Sequence, residues 1–287
     1  MTSISAQPVA RPPLTPASAL LLGLALSVAW VGGNLLLPAL APSGVPSTAA
    51  RLGIYVAVLL GLWQALERTP FAADRRLAVW LAIAIPLTLW LALAWSLAIE
   101  GAFRPVPGAG RVPRLPIAIF LPLIVGLPLL LRSRAIAAVL DATPAHWLVA
   151  LQVYRILGGI FLVNWAHGTV AGIFAWPAGV GDMLTGIMAL PVALALAAGS
   201  AGAWRAAVLW NIFGITDLAV AVTLGSLSSP GPVQLFGFGI PGAQLGTYPT
   251  VLTPAFAVPL SVLFHALSLR QLRRGAVHVT PARVPLS

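Results

Sequence analysis

Hydrophobic positions fall into eight long runs, at roughly 17–40, 49–66, 77–99, 115–131, 145–166, 182–198, 203–224 and 250–269. Short joints rich in Arg, Pro, Gly and Ser separate them. A membrane-spanning helix needs ~20 apolar residues and ~17 is near the minimum, so the fourth and sixth runs are the marginal ones. The pattern predicts an all-α, polytopic membrane helix bundle of about eight transmembrane helices. It divides into an N-terminal half (1–134, four helices), a C-terminal module (135–274, four helices) and a cytoplasmic tail (275–287). The "ALA" at Ala39–Ala41 mimics a signal-peptidase site. The first run exceeds the 7–15 residues of a signal core, and Pro42 would follow the cut directly, so it is expected to stay as a helix.

Composition agrees. The chain is 59% hydrophobic and 8% charged, where a soluble domain carries roughly a quarter charged residues. Ten Trp and 26 Pro suit a membrane bundle, because Trp collects at the interfaces and Pro is tolerated inside membrane helices. The net charge of +10 comes from sixteen scattered arginines with no lysine. The expected partners are therefore membrane lipids and not nucleic acid. A Schiff-base lysine is excluded, and the lack of cysteine excludes disulfides, thiolate metal sites and iron–sulfur clusters.

Arginine placement suggests an orientation. With the N-terminus inside, cytoplasmic segments hold Arg11, Arg68, Arg75, Arg76, Arg132, Arg134, Arg205, Arg270, Arg273, Arg274 and Arg283. Outer segments hold Arg51, Arg104, Arg111 and Arg114. The bias favours both termini in the cytoplasm, in a bacterial inner membrane. Two outer connections without arginine, "HGTVAGIFAWPAGVG" and "SLSSPGPVQLFGFGIPGAQLGTYP", are apolar and rich in Gly and Pro. The second, over Gly225–Tyr248, is expected to pack on the bundle or dip into it.

A few polar residues lie inside the runs, where a charge costs ~2.5–3.5 kcal/mol and usually has a partner. Arg155, in "LQVYRILGG", sits about 15 Å into the fifth run, near mid-membrane. Gln152 is three residues earlier, on the same face. In "LWNIFGITDLAVAV", Asp217 lies ~20 Å deep and Asn211 about two turns shallower, so Arg155 falls between them. The expected arrangement is Arg155 against Asp217, with Gln152 and Asn211 taking its other donors. Asp182, in "PAGVGDMLTG", is the alternative counter-ion, or a cap near the outer start of the sixth helix. These residues with His265 form a polar core that either fixes helix register or lines a path for a small-molecule ligand. His146 and His265 share a depth, which makes bis-histidine haem conceivable, but no Cys-x-x-Cys-His or carboxylate cluster supports it. His265 is expected about a turn from the inner edge, in interfacial hydrogen bonds. No metal site, nucleophile elbow or nucleotide fingerprint is present.

"FLPLIVGLPLLLRSR" and "FAVPLSVLFHALSLRQLR" echo one another, as a parallel four-plus-four repeat would require. The strings "LQVYRILGGIFL", "FAWPAGVGDMLTG", "LWNIFGITDLAVAVTLG" and "YPTVLTPAFAVPLSVLFHALSLRQLRR" make residues 146–274 resemble an uncharacterised family of bacterial multi-pass integral membrane proteins. That resemblance implies that Arg155, Asp182, Asn211, Asp217 and His265 belong to one module. It implies no role for any of them. The leading expectation is a small-molecule permease, against a membrane enzyme acting on a lipid or quinone-like substrate, or a non-catalytic accessory subunit.

Overall fold

A computed structural model describes residues 14–37, 45–104, 114–231, 233–239 and 245–279. Among the described residues the chain is all α, with eight helices long and apolar enough to cross a membrane. It is a multi-pass membrane protein. The first four spans are α1 (Pro16–Leu36), α2 (Val45–Glu67), α3 (Ala73–Ile99) and α4 (Arg114–Arg132). A short helix, α5 (Arg134–Ala142), follows. Its Ile136, Val139 and Leu140 are buried at helical spacing, and the Ser133 hydroxyl accepts from the Ile136 amide at 3.2 Å.

The fifth span, His146–Ala166, is not one regular helix. It begins as α6 (His146–Leu151), tightens into a 3₁₀ segment over Gln152–Gly159 and resumes as α7 (Ile160–Ala166). The sixth and seventh spans are α8 (Gly172–Ala197) and α9 (Ala203–Ser228). The last opens with a π-type turn at Thr253–Ala257 and continues as α10 (Val258–Val279). Helix α8 packs against the 3₁₀ segment, α9, α1 and α6, so it is the hub of the bundle. Helix α1 belongs with this group: Trp30 donates to the Leu157 carbonyl at 3.0 Å, and Gly23 lies against Ile187.

Three boundaries differ from the sequence reading. The sixth helix starts at Gly172 and not near residue 182, so most of "HGTVAGIFAWPAGVG" is helical. Its glycines act as contact points: Gly179 meets Leu162 and Gly181 meets Asp217. Pro177 is accommodated inside the helix, as membrane helices allow. The last helix runs past residue 269, because its polar end has work to do. Arg270 donates to the Leu130 and Ser133 carbonyls, and Gln271 to those of Leu140 and Thr143. Arg51 is not in a loop but inside α2, 9% exposed.

The Gly225–Tyr248 segment divides. Leu245 is buried beside Phe161 and Phe174, and Tyr248 packs on Trp95 with ring centroids 6.2 Å apart. Val233, Leu235, Phe236 and Phe238 are instead exposed. Apolar groups at a membrane surface meet the interface rather than bulk water, which removes the force expected to fold them inward. Ile240 lies outside the described residues, as do Arg11, Arg111, Arg283 and most of the 275–287 tail.

Candidate functional site

In the 3₁₀ segment three residues make a turn, so Gln152, Arg155 and Gly158 stack on one face. All three are buried. Arg155 is 3% exposed, yet all three of its guanidinium nitrogens meet acceptors. Nε donates to Asp182 Oδ1 at 2.7 Å. Nη2 lies 2.5 Å from the same oxygen and bonds Asp217 Oδ2. Nη1 donates to the Gly214 carbonyl and to His265 Nε2, both at 3.1 Å.

These contacts fix the histidine. A guanidinium only donates, so Nε2 of His265 accepts and the ring proton sits on Nδ1. That N–H points at Asn211 Oδ1, 2.9 Å away. The Asn211 amide then donates to the Ala207 carbonyl at 2.8 Å and to Ser268 Oγ at 3.0 Å. His265 is therefore neutral, 0% exposed and tilted against Trp210 at 4.9 Å between centroids. Ser261, His265 and Ser268 follow i, i+4, i+7 spacing and form one polar stripe on α10.

Glycines make room for the cluster. A methyl group at Gly158 would overlap Asp182, one at Gly181 would overlap Asp217, and one at Gly214 would overlap His265. Each glycine sits on a different element from the side chain it accommodates.

Beside the cluster is a cavity with about 60 Å³ of space for water-sized molecules. Arg155, Asp182, Tyr154, Ser261, Thr253 and Arg51 are among its lining groups. The Tyr154 and Ser261 hydroxyls are 2.6 Å apart, and Arg51 donates to Thr253 Oγ1 at 2.8 Å. The wall is unusual in one respect: both the 3₁₀ segment and the π-type turn contribute to it. Irregular backbone at membrane depth persists where protein buries it or where it lines a cavity. Polar groups thus run from Arg51 and Thr253, through Tyr154 and Ser261, to the Arg155 cluster and on to Asn211 and Ser268.

The structure brings Arg155, Asp182, Asn211, Asp217 and His265 into one bonded network: the expected Arg155–Asp217 pair is there, and Asp182, the alternative counter-ion, joins it. Arg155 has two carboxylates and not one. Asp182 is eleven residues into α8, mid-helix, because that helix begins earlier than its apolar run suggested. Gln152 donates to the Ser261 carbonyl at 3.2 Å and takes none of the Arg155 donors, and its Oε1 has no partner among the described residues. Asn211 reaches Arg155 only through His265. His265 is deep in the bundle because α10 continues well beyond it. With both ring nitrogens engaged, it has none to offer a haem iron, and His146 merely opens α6. Among the described residues no group of three or more His, Cys, Asp or Glu is placed to hold a metal ion. Tyr154, Ser261 and Ser268 are not among the sequence candidates, and Arg51 enters there only as an outer charge. The α10 stripe was the available signal for two of them.

This module has a counterpart among known sequences. A family described as "Domain of unknown function (DUF8737)" matches residues 112–273, more than half of the 287-residue chain. The chain belongs to this family. The match begins earlier than the expected 146 and takes in α4 and α5. The DUF8737 segment holds every member of the Arg155 network, whereas Trp30 and Arg51 on the cavity wall lie outside it. No curated protein and no solved structure matches the chain.

Proposed function

We propose that the protein is a small-molecule permease of a bacterial cytoplasmic membrane, with the Arg155 network as its working part. One observation carries the reading: a buried charge cluster opens onto a cavity walled by two spans that both abandon α geometry there. A structural ion pair needs neither the cavity nor the irregular walls. A mid-helix 3₁₀ stretch of this length is a common mark of a hinge. In this reading both termini are cytoplasmic, which the arginine bias supports. The Arg51 end of the cavity then faces outward.

The cysteine-free sequence makes the test direct. Single cysteines replace Ala50 or Ala257, both on the cavity wall. A membrane-impermeant maleimide is then applied to right-side-out and inverted vesicles. A carrier visits inward- and outward-open states, so both positions should label from both faces. Labelling from one face only would sink the permease and favour an enzyme or an accessory subunit. Reporter fusions check the orientation: the C-terminus and Arg132 should report cytoplasm, and Ser229 the outside.

A further inference from the structure

We propose that Asp182 and Asp217 together bind one exchangeable proton, taken up through the cavity at Asp182, and that it is the coupling ion of the permease. The coupling role rests on the transport reading above, while the proton site rests on the geometry of the cluster.

The first argument is charge. A guanidinium is not deprotonated in proteins, so the cation in the cluster is fixed. His265 is neutral, because its Nε2 accepts from Arg155 and its Nδ1 proton faces Asn211. One guanidinium therefore serves two carboxylates in a site shielded from water. Two carboxylates on one nitrogen repel each other and titrate as a pair, and one bound proton balances the cluster.

The second argument is access. Asp182 directs both of its arginine bonds to Oδ1. Its Oδ2 makes no hydrogen bond within the described protein and lies against Gly158, and both residues line the cavity. Asp217 bonds through Oδ2 and is not on that wall. Around Asp182 the ionisable groups are Tyr154 and Arg155 from the 3₁₀ segment, Asp217 from α9 and His265 from α10. Arg51 from α2 lies on the same cavity wall.

The third argument is size and coordination. The cavity, at about 60 Å³, is small and has room for a few waters. That suits a hydrated proton relay. A hard metal cation needs several oxygen ligands, whereas a proton joins one carboxylate covalently. In the step itself a hydronium in the cavity gives its proton to Asp182 Oδ2. An O–H bond forms, water is left behind, and Asp217 remains the only anion facing Arg155. Release reverses the step.

Infrared spectroscopy tests this on the full chain in detergent with ¹³C-labelled aspartate. Only four aspartates are present: Asp74, Asp141, Asp182 and Asp217. The expected result is one labelled, deuterium-sensitive protonated-carboxyl band that grows as pH falls. It should survive Asp74→Asn, Asp141→Asn and Tyr154→Phe. It should vanish in both Asp182→Asn and Asp217→Asn, since either leaves one carboxylate to one guanidinium. A band that persists in both of those variants overturns the proposal. So does the absence of any band in the folded wild type, or a band that follows sodium at fixed pH. If the asparagine variants do not fold, the wild-type titrations with pH and sodium still decide. Two-sided cysteine labelling without the band removes the proton and leaves the carrier. The band without two-sided labelling supports the proton site and removes the carrier.

Discussion

The first four spans and the last four are all apolar enough to cross a membrane but differ in what they bury. Within their most hydrophobic stretches, α1 to α4 bury 11–22% of residues, whereas the last four spans bury 33–61%. The early helices expose side chains such as Leu60, Leu89 and Ile124, at 58%, 64% and 69%. Lipid solvates these as well as protein would, so no hydrophobic force draws them inward. The later helices are held together by polar bonds and by glycines that let them approach. Arg155, Asp182 and Asp217 all lie in that half. Irregular backbone is found there too, at Gln152–Gly159 and Thr253–Ala257. In a membrane, tight burial marks where polarity must be shielded, and it is the denser half that holds the candidate site.

The largest effect expected from this contrast is at Arg155. Arg155→Leu leaves two carboxylates without their cation, and breaking a buried pair costs about 3–5 kcal/mol. Folded yield in detergent, read by size-exclusion chromatography, should collapse. Because the arginine serves two aspartates, Arg155→Leu with Asp217→Leu should not recover, since Asp182 stays stranded. The triple variant Arg155→Leu, Asp182→Asn, Asp217→Asn should regain much of the yield. Normal folding of Arg155→Leu alone would show that the dense half does not depend on its charges.

How much of this was readable beforehand follows from what each feature depends on. Span count and the candidacy of Arg155 and Asp217 are local facts of hydropathy and depth. The depth of His265 failed because the apolar run ends before the helix does: Arg270 and Gln271 continue it by bonding α4 and α5 carbonyls. Asp182 is a counter-ion of Arg155, as its alternative reading has it, but its place at a helix start fails for the mirror reason, since Gly and Pro before it read as a loop although they are helical. The 3₁₀ segment leaves no signature in "LQVYRILGG". The partners of Arg155 required knowing which helices adjoin. The same holds for the glycines, which serve side chains on neighbouring elements.

Those glycines give the next prediction. Gly158→Ala, Gly181→Ala and Gly214→Ala each push a methyl into a side chain of the cluster, and overpacking of this kind costs about 1–3 kcal/mol. Gly53 and Gly61 in α2 have nothing within 4 Å of an added methyl. There alanine gains about 0.5–1 kcal/mol of helix preference. Unfolding midpoints in a denaturing detergent should fall for the first three variants and hold or rise for the other two. Equal losses in both groups would erase the distinction between the halves.

The smallest effect should come from the same chemistry in the opposite setting. Arg274 and Asp141 form an ion pair whose side chains are 38% and 41% exposed. It ties the end of α10 to α5, where Arg270 and Gln271 already make four hydrogen bonds to backbone carbonyls. Solvent screens the pair, and holding two long side chains in register costs entropy, so exposed pairs contribute only about 0–1 kcal/mol. Asp141→Asn should therefore shift the unfolding midpoint slightly, and by less still in high salt. The loss in Arg155→Leu should depend far less on salt, because its cluster is buried. A loss at Asp141 as large as that at Arg155, or one that salt does not diminish, would mean that burial is not what separates the two ion pairs.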